Sequence, residues 1–258
     1  MTRPSPSSRL ASSAEALAPS GTLRASINLG NPMLARRDAG SATPVGVSVD
    51  LACELAQRIG VAIELIAFDK AVQSVEAVRS EKADIGFFAI DPARGEGLRF
   101  SAAYLLIEGS YLVPAYAAFK ANDDVDHAGV RVGVGSGSAY DLFLTRSLQA
   151  AQIERLFNAE AVVASLRAGQ IDVAAGIRKQ LETITQADNA LRLLPGGFMV
   201  IQQAMGLPAS RGEDAAAALA GFVEEMKASG FVAAALARHR IDGGEVAPQA
   251  SASPPASP

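Results

Sequence analysis

Residues 46–90, GVSVDLACELAQRIGVAIELIAFDKAVQSVEAVRSEKADIGFFAI, switch repeatedly between two hydrophobic periods. Leu51, Ala52, Leu55, Ala56 and Ile59 fall on one face of a helix. Asp50 stands where it can cap that helix, and Gly60 where a glycine commonly ends one. Val61, Ile63 and Leu65 then alternate as a strand does, Val72, Val75 and Val78 return to helical spacing, and Asp84–Ile90 is again of strand type. With Leu23–Leu29 ahead of it as a further strand, the order is strand–helix–strand–helix–strand. That order implies a parallel sheet with helices on both faces.

Downstream the order restarts. Tyr111-Leu-Val-Pro114 is extended and leads into the polar stretch Lys120–His127. Val130–Val134 reads as a strand, Ala139–Leu148 and Ala161–Ala168 as helices, and Asp172–Ile177 as a strand followed by a helical pattern through Thr185. A second extended segment, Met199–Leu207, precedes helical patterns at Glu213–Ser229 and Phe231–Arg240. Two α/β units tied by two extended connections predict an α/β fold of two doubly wound lobes with a two-segment hinge. The expected division is 21–113 with 203–242 for lobe 1, and 114–202 for lobe 2. The Ser/Ala/Pro-rich stretches 1–20 and 243–258 are expected to be disordered.

The chain has 258 residues and a net charge of -4, which argues against a nucleic-acid partner. One cysteine, Cys53, and two histidines, His127 and His239, leave out disulfides, cysteine metal clusters and most histidine-based catalysis. No cofactor is expected. No apolar run reaches the roughly 18 residues of a membrane span, and 1–20 lacks the apolar core of an export signal. As written, the chain is expected to stay in the cytoplasm and not to insert into a membrane.

Ligands of open α/β sheets sit beyond the carboxyl ends of the strands. That rule selects the loops Asn28–Leu34, Asp69-Lys70, Asp91–Arg94 and Gly135–Ala139. Arg94 can hold a carboxylate through two parallel hydrogen bonds, although by itself it reads as a surface residue paired with Asp91 or Glu96. In Gly133-Val-Gly-Ser-Gly-Ser138 the glycines let backbone N–H groups approach an anion ahead of a helix N-terminus, and Ser138 can add a hydroxyl. Serine stands where a dinucleotide fingerprint needs its last glycine, so that reading is weak.

Four stretches together resemble the bacterial extracellular solute-binding proteins of family 3, the amino-acid-type periplasmic binding proteins. They are Gly21-Thr-Leu-Arg24 with Asn31-Pro32, then Gly46-Val-Ser-Val-Asp-Leu-Ala52, then Asp84-Ile85 through Arg94 with Phe100-Ser-Ala-Ala-Tyr104, and Ala168-Gly-Gln-Ile-Asp-Val173. The resemblance spans about Gly21 to Ile241 and implies two lobes that close on a ligand, delivered to an ABC transporter permease. It implies that Arg94 binds a ligand carboxylate, with a hydroxyl or backbone group at Ser138 and Gly137 opposing it. It also implies a periplasmic location, against the cytoplasmic expectation above.

The departures concern the ligand. Ala89 replaces a hydroxyl residue, Asp91 a threonine, and aromatic residues are missing around Asn31–Leu34. Ile177 stands where the family places an acid for the ligand's ammonium, and Arg178 beside it offers a second positive group. The expected partner is therefore a small organic anion without a free α-ammonium, with Asp91 able to take over the ammonium in the opposing case. Asp69 and Glu108 complete the candidate site. The rival reading is an enzyme on the same scaffold, a dehydratase of cyclic carboxylic acids, for which Asp91 and Glu108 are the only acids to nominate.

Overall fold

A computed structural model describes residues 10, 13–38, 40 and 43–250. In chain order the elements are α1 (Ala14–Leu17), β1 (Thr22–Asn28), β2 (Arg36–Arg37), β3 (Pro44–Val45), α2 (Val47–Ile59), β4 (Ala62–Phe68), α3 (Ala71–Arg79), β5 (Ile85–Ala89), α4 (Pro92–Gly95) and β6 (Leu98–Pro114). There follow β7 (Arg131–Gly135), α5 (Ala139–Ser147), β8 (Gln152–Leu156), α6 (Ala159–Arg167), β9 (Val173–Ile177), α7 (Arg178–Ala187), β10 (Leu191–Leu193), β11 (Met199–Pro208), α8 (Gly212–Ala228), α9 (Phe231–Arg238) and β12 (Gly244–Val246).

The sheet runs in the order β4-β1-β5-β11-β6-β9-β7-β8. Its outer thirds are parallel, β4-β1-β5 on one side and β9-β7-β8 on the other. Between them β6 and β11 pair antiparallel from Met199↔Gly109 to Pro208↔Leu98. The lower part of β11 joins β5 at Gln203–Gly206, and the far part of β6 joins β9 at Gly109–Leu112. These two strands are the double connection between the α/β lobes. The sequence division at 113/114 falls after β6 has already entered the second lobe's sheet at Gly109.

Local chemistry accounts for most boundaries. Helix α2 opens at Gly46, whose φ of 143° and closeness to the Leu34 carbonyl leave no room for a side chain. Asp50 therefore does not cap it. Its carboxylate instead accepts from Arg238 Nη1 at 2.7 Å and lies 2.9 Å from His239 Nε2. Gly60 does end the helix, left-handed at φ 73°. Leu51, Leu55 and Ile59 go inward with Leu23, Ala25 and Ile27 of β1 to form the first core. Under α6, Val162, Leu166 and Ala174 form a smaller one. Cys53 of α2 is exposed.

Portions of both terminal segments differ from expectation. Leu17 of α1 is buried, and β12 pairs with β6 from Gly244↔Ile107 to Val246↔Leu105. Lys227, its side chain 1 % exposed, pins this strap by donating to Ala103 O at 3.1 Å and Pro248 O at 2.9 Å. The rest of the expected disorder, at 1–9, 11, 12 and 251–258, lies outside the described residues.

Candidate ligand cleft

A cavity of about 450 Å³ lies between the lobes, at the carboxyl ends of their parallel strands. Phe87 and Ala89 of β5, Ile201 and Gln203 of β11, Ile177 of β9 and Tyr140 of α5 are among its walls. Residues two apart in a strand share a face, which is why Ile201 and Gln203 line it together while Val200 and Gln202 are exposed.

Arg94 reaches the cavity from α4 and is 7 % exposed. Its Nη2 donates to the Gly137 carbonyl of the opposite lobe at 2.9 Å. Among the described residues no carboxylate lies within ion-pair distance of its guanidinium, and the charge of Asp91 acts on it from further away. Burial pulls its pKa below the ordinary arginine value, while the charge of Asp91 acts in the opposite sense. An arginine stays protonated through such a shift.

Facing Arg94 is the turn from β7 into α5. Gly137 is left-handed at φ 72° and gives its N–H to Asp141 Oδ2 at 2.8 Å. Ser138 caps α5, its Oγ accepting from Asp141 N at 3.1 Å. The hydroxyl expected to meet the ligand is thus engaged as an acceptor by its own helix. The first turn of α5, with its partial positive charge, faces the same space as Arg94. Burial pushes the Tyr140 phenol above its ordinary pKa, so this wall is neutral.

The remaining candidates separate into two groups. Asn31, Asp69, Ala89, Gly137 and Ile177 line the cavity. Asn31 Oδ1 is held by Met33 N at 3.1 Å, and Asp69 is exposed at the rim. Asp91, Glu108 and Arg178 are not in the lining. Asp91, 6 % exposed, caps α4 through Ala93 N at 2.9 Å and crosses the cleft to Arg146, at 2.6 Å and 3.2 Å. It is therefore not free to take an ammonium or to act as a catalytic acid. Arg178 pairs with Glu108 at 3.2 Å and Glu182 at 3.0 Å, so the second positive group expected beside Ile177 is neutralised elsewhere. Successive residues at a strand end point to opposite sides, and Ile177 has the inward one.

Gln203, Gln180, Tyr140 and Phe157 were not singled out from the sequence. Alternation along Met199–Leu207 put Gln203 on the face of Ile201, a signal that was available. Phe157 follows β8, whose Gln-Ile-Glu-Arg-Leu is too short and polar to stand out. At the mouth, Lys70 Nζ lies 4.1 Å from the centre of the Phe157 ring, a cation–π contact between lobes. Among the described residues no His/Cys/Asp/Glu group could hold a metal, and no helix is long and apolar enough to cross a membrane.

Two α/β lobes, a double β connection and a cleft at the strand ends define a type II periplasmic-binding fold. The family model for bacterial extracellular solute-binding proteins, family 3, matches residues 25–240, and the chain belongs to that family. Solved structures agree on the fold. The solute receptor for L-cysteine of Neisseria gonorrhoeae superposes with a TM-score of 0.73 at 19 % identity, over 89 % of this chain and 94 % of that one. A mutant of ArgBP from T. maritima gives 0.72 at 18 %, over 88 % and 99 %. The ancestral amino-acid-binding protein AncCDT-1, a precursor of cyclohexadienyl dehydratase, gives 0.69 at 20 %, over 87 % and 98 %. The family is described as extracellular, so the expected cytoplasmic location finds no support in it.

Proposed function

We propose that this solute-binding protein clamps a small carboxylate-bearing organic solute between its lobes and serves as the substrate-binding component of an ABC-type importer. One observation carries the reading: a buried arginine, without a carboxylate partner among the described residues, faces the N-terminus of α5 across the cleft. An anion placed there gains charge-assisted hydrogen bonds and a favourable helix end together.

The solute lacks a free α-ammonium. Among the described residues, the acids in the lining are Asp69 and Glu160, both exposed at the rim. An ammonium beside Ile177 would be buried unpaired, at a cost of several kcal/mol. The amino-acid ligands named for structural relatives favour the opposite choice, and binding of a free amino acid in preference to its amine-free analogues would decide for it. The enzyme alternative loses its two nominated acids, since Asp91 is tied to Arg146 and Glu108 to Arg178.

Calorimetry with a library of small carboxylates tests this directly. Arg94→Ala lowers affinity about ten- to a hundredfold, the equivalent of a charge-assisted hydrogen bond of about 1.5–3 kcal/mol. Arg94→Lys recovers little, because the paired donors are lost. Binding that survives Arg94→Ala unchanged removes the site assignment. Solution scattering gives a more compact particle on ligand addition if the lobes close about β6 and β11.

A further inference from the structure

Two amide side chains in the cleft each have one buried polar atom without a hydrogen-bond partner among the described residues. Gln203 is 3 % exposed, sits on the cavity face of β11, and its Oε1 is buried with no hydrogen-bond partner among the described residues. Gln180, in the first turn of α7 on the other lobe, has its Nε2 buried in the same condition and also lines the cavity. A buried amide atom without a partner costs about 1–3 kcal/mol, and such atoms are rare enough to need a cause. Resting on the carboxylate reading above, we infer that both side chains recognise the solute's other end, and that this end is an uncharged group able to donate and accept a hydrogen bond.

Charge narrows the class further. A second carboxylate would need a second free cation. Arg178 is held by Glu108 and Glu182 outside the lining, and Lys70, which keeps its charge, sits at the mouth over the 70 % exposed Phe157, where water screens it. An ammonium would need an acid, and Asp91 is held by Arg146. Phe87, Ile177 and Ile201 make the intervening wall apolar, which suits a neutral group. A ketone only accepts. As placed, the orphaned Gln203 Oε1 accepts and the orphaned Gln180 Nε2 donates, so the complementary ligand group both donates and accepts, as a hydroxyl or a secondary amide does. The substrate class is then a hydroxy acid or an N-acyl amino acid.

The test is calorimetry on two matched series, those of alanine and leucine. Each contains the amino acid, its N-acetyl derivative, and the hydroxy, keto and unsubstituted acids of the same skeleton, with succinate as a dicarboxylate. In the wild type a hydroxy or N-acetyl acid binds at least about tenfold tighter than its keto and unsubstituted counterparts, and Gln203→Met collapses that preference. Gln203→Glu, isosteric but anionic, shifts it toward the free amino acid. Melting curves confirm that both variants fold. A wild type that prefers the amino acid, the keto acid or succinate overturns the inference, as does a preference that persists in Gln203→Met or binding of no probe. Arg94-dependent binding of a keto acid or succinate would remove this inference and leave the carboxylate reading standing. Binding of any acid that ignores Arg94→Ala would remove the latter.

Discussion

Each lobe is fastened at the same place by the same pair of residue types. In the first, the backbone N–H of Arg24 donates to Asp84 Oδ2 at 2.9 Å, with its Nε at 3.0 Å and its Nη2 2.7 Å from Oδ1. In the second, Arg131 meets Asp172 with 2.8, 3.0 and 2.8 Å in the same three contacts. Both aspartates return their own N–H to the arginine's carbonyl, at 2.8 and 2.9 Å. Each arginine opens or nearly opens its lobe's first strand, and each aspartate precedes the strand that pairs beside it, β5 or β9. The geometry is repeated, but the surroundings are not. Asp84 has no exposed side-chain surface and takes a second arginine, Arg211, at 3.1 Å, whereas the Asp172 side chain is 34 % exposed. The difference teaches that identical hydrogen bonds contribute according to how much water competes for them.

The largest effect should come from breaking the buried member. Asp84→Ala leaves Arg24 and the largely buried Arg211 facing a vacancy and costs about 3 kcal/mol, read from the urea midpoint. Lys227→Met tests the strap that only the first lobe has. It leaves the Ala103 and Pro248 carbonyls without their donor and costs about 2 kcal/mol in the same assay. Asp172→Ala, in the solvent-screened copy, costs only a small fraction of the Asp84→Ala loss. Equal losses at Asp84 and Asp172 would refute the role assigned to burial.

The smallest effect is a pH dependence. The Arg131 side chain holds the Asp172 carboxyl below its usual range. A depressed folded value contributes stability that is fully present above the ordinary carboxylate pKa of about 3.9, and is lost as pH falls through the folded value. The stability gap between wild type and Asp172→Asn should therefore be constant above about pH 5 and close progressively below about pH 4. A gap that persists unchanged into strong acid would show that the pair contributes through packing and not charge.

Periodicity made the repeated strand–helix order readable, because a helix or strand with one buried face records that face in its own sequence. It failed for β6, whose Phe100-Ser-Ala-Ala-Tyr-Leu-Leu-Ile107 is covered on both sides and does not alternate cleanly, and for the short edge strand β8. The loop placed Arg94 among the candidates, the order of four motifs pointed to the solute-binding family, and that resemblance singled Arg94 out as the proposed carboxylate ligand, so the fold and a candidate for one end of the site were legible in the chain. Which neighbouring polar groups remain available to a ligand was decided by partners far away in sequence. Asp91 is captured by Arg146 and Arg178 by Glu108, while Gln203 Oε1 and Gln180 Nε2 are left without a partner among the described residues. A local pattern records which face a residue occupies, but its free hydrogen-bonding capacity depends on every element packed around it, and that exists only in the folded chain.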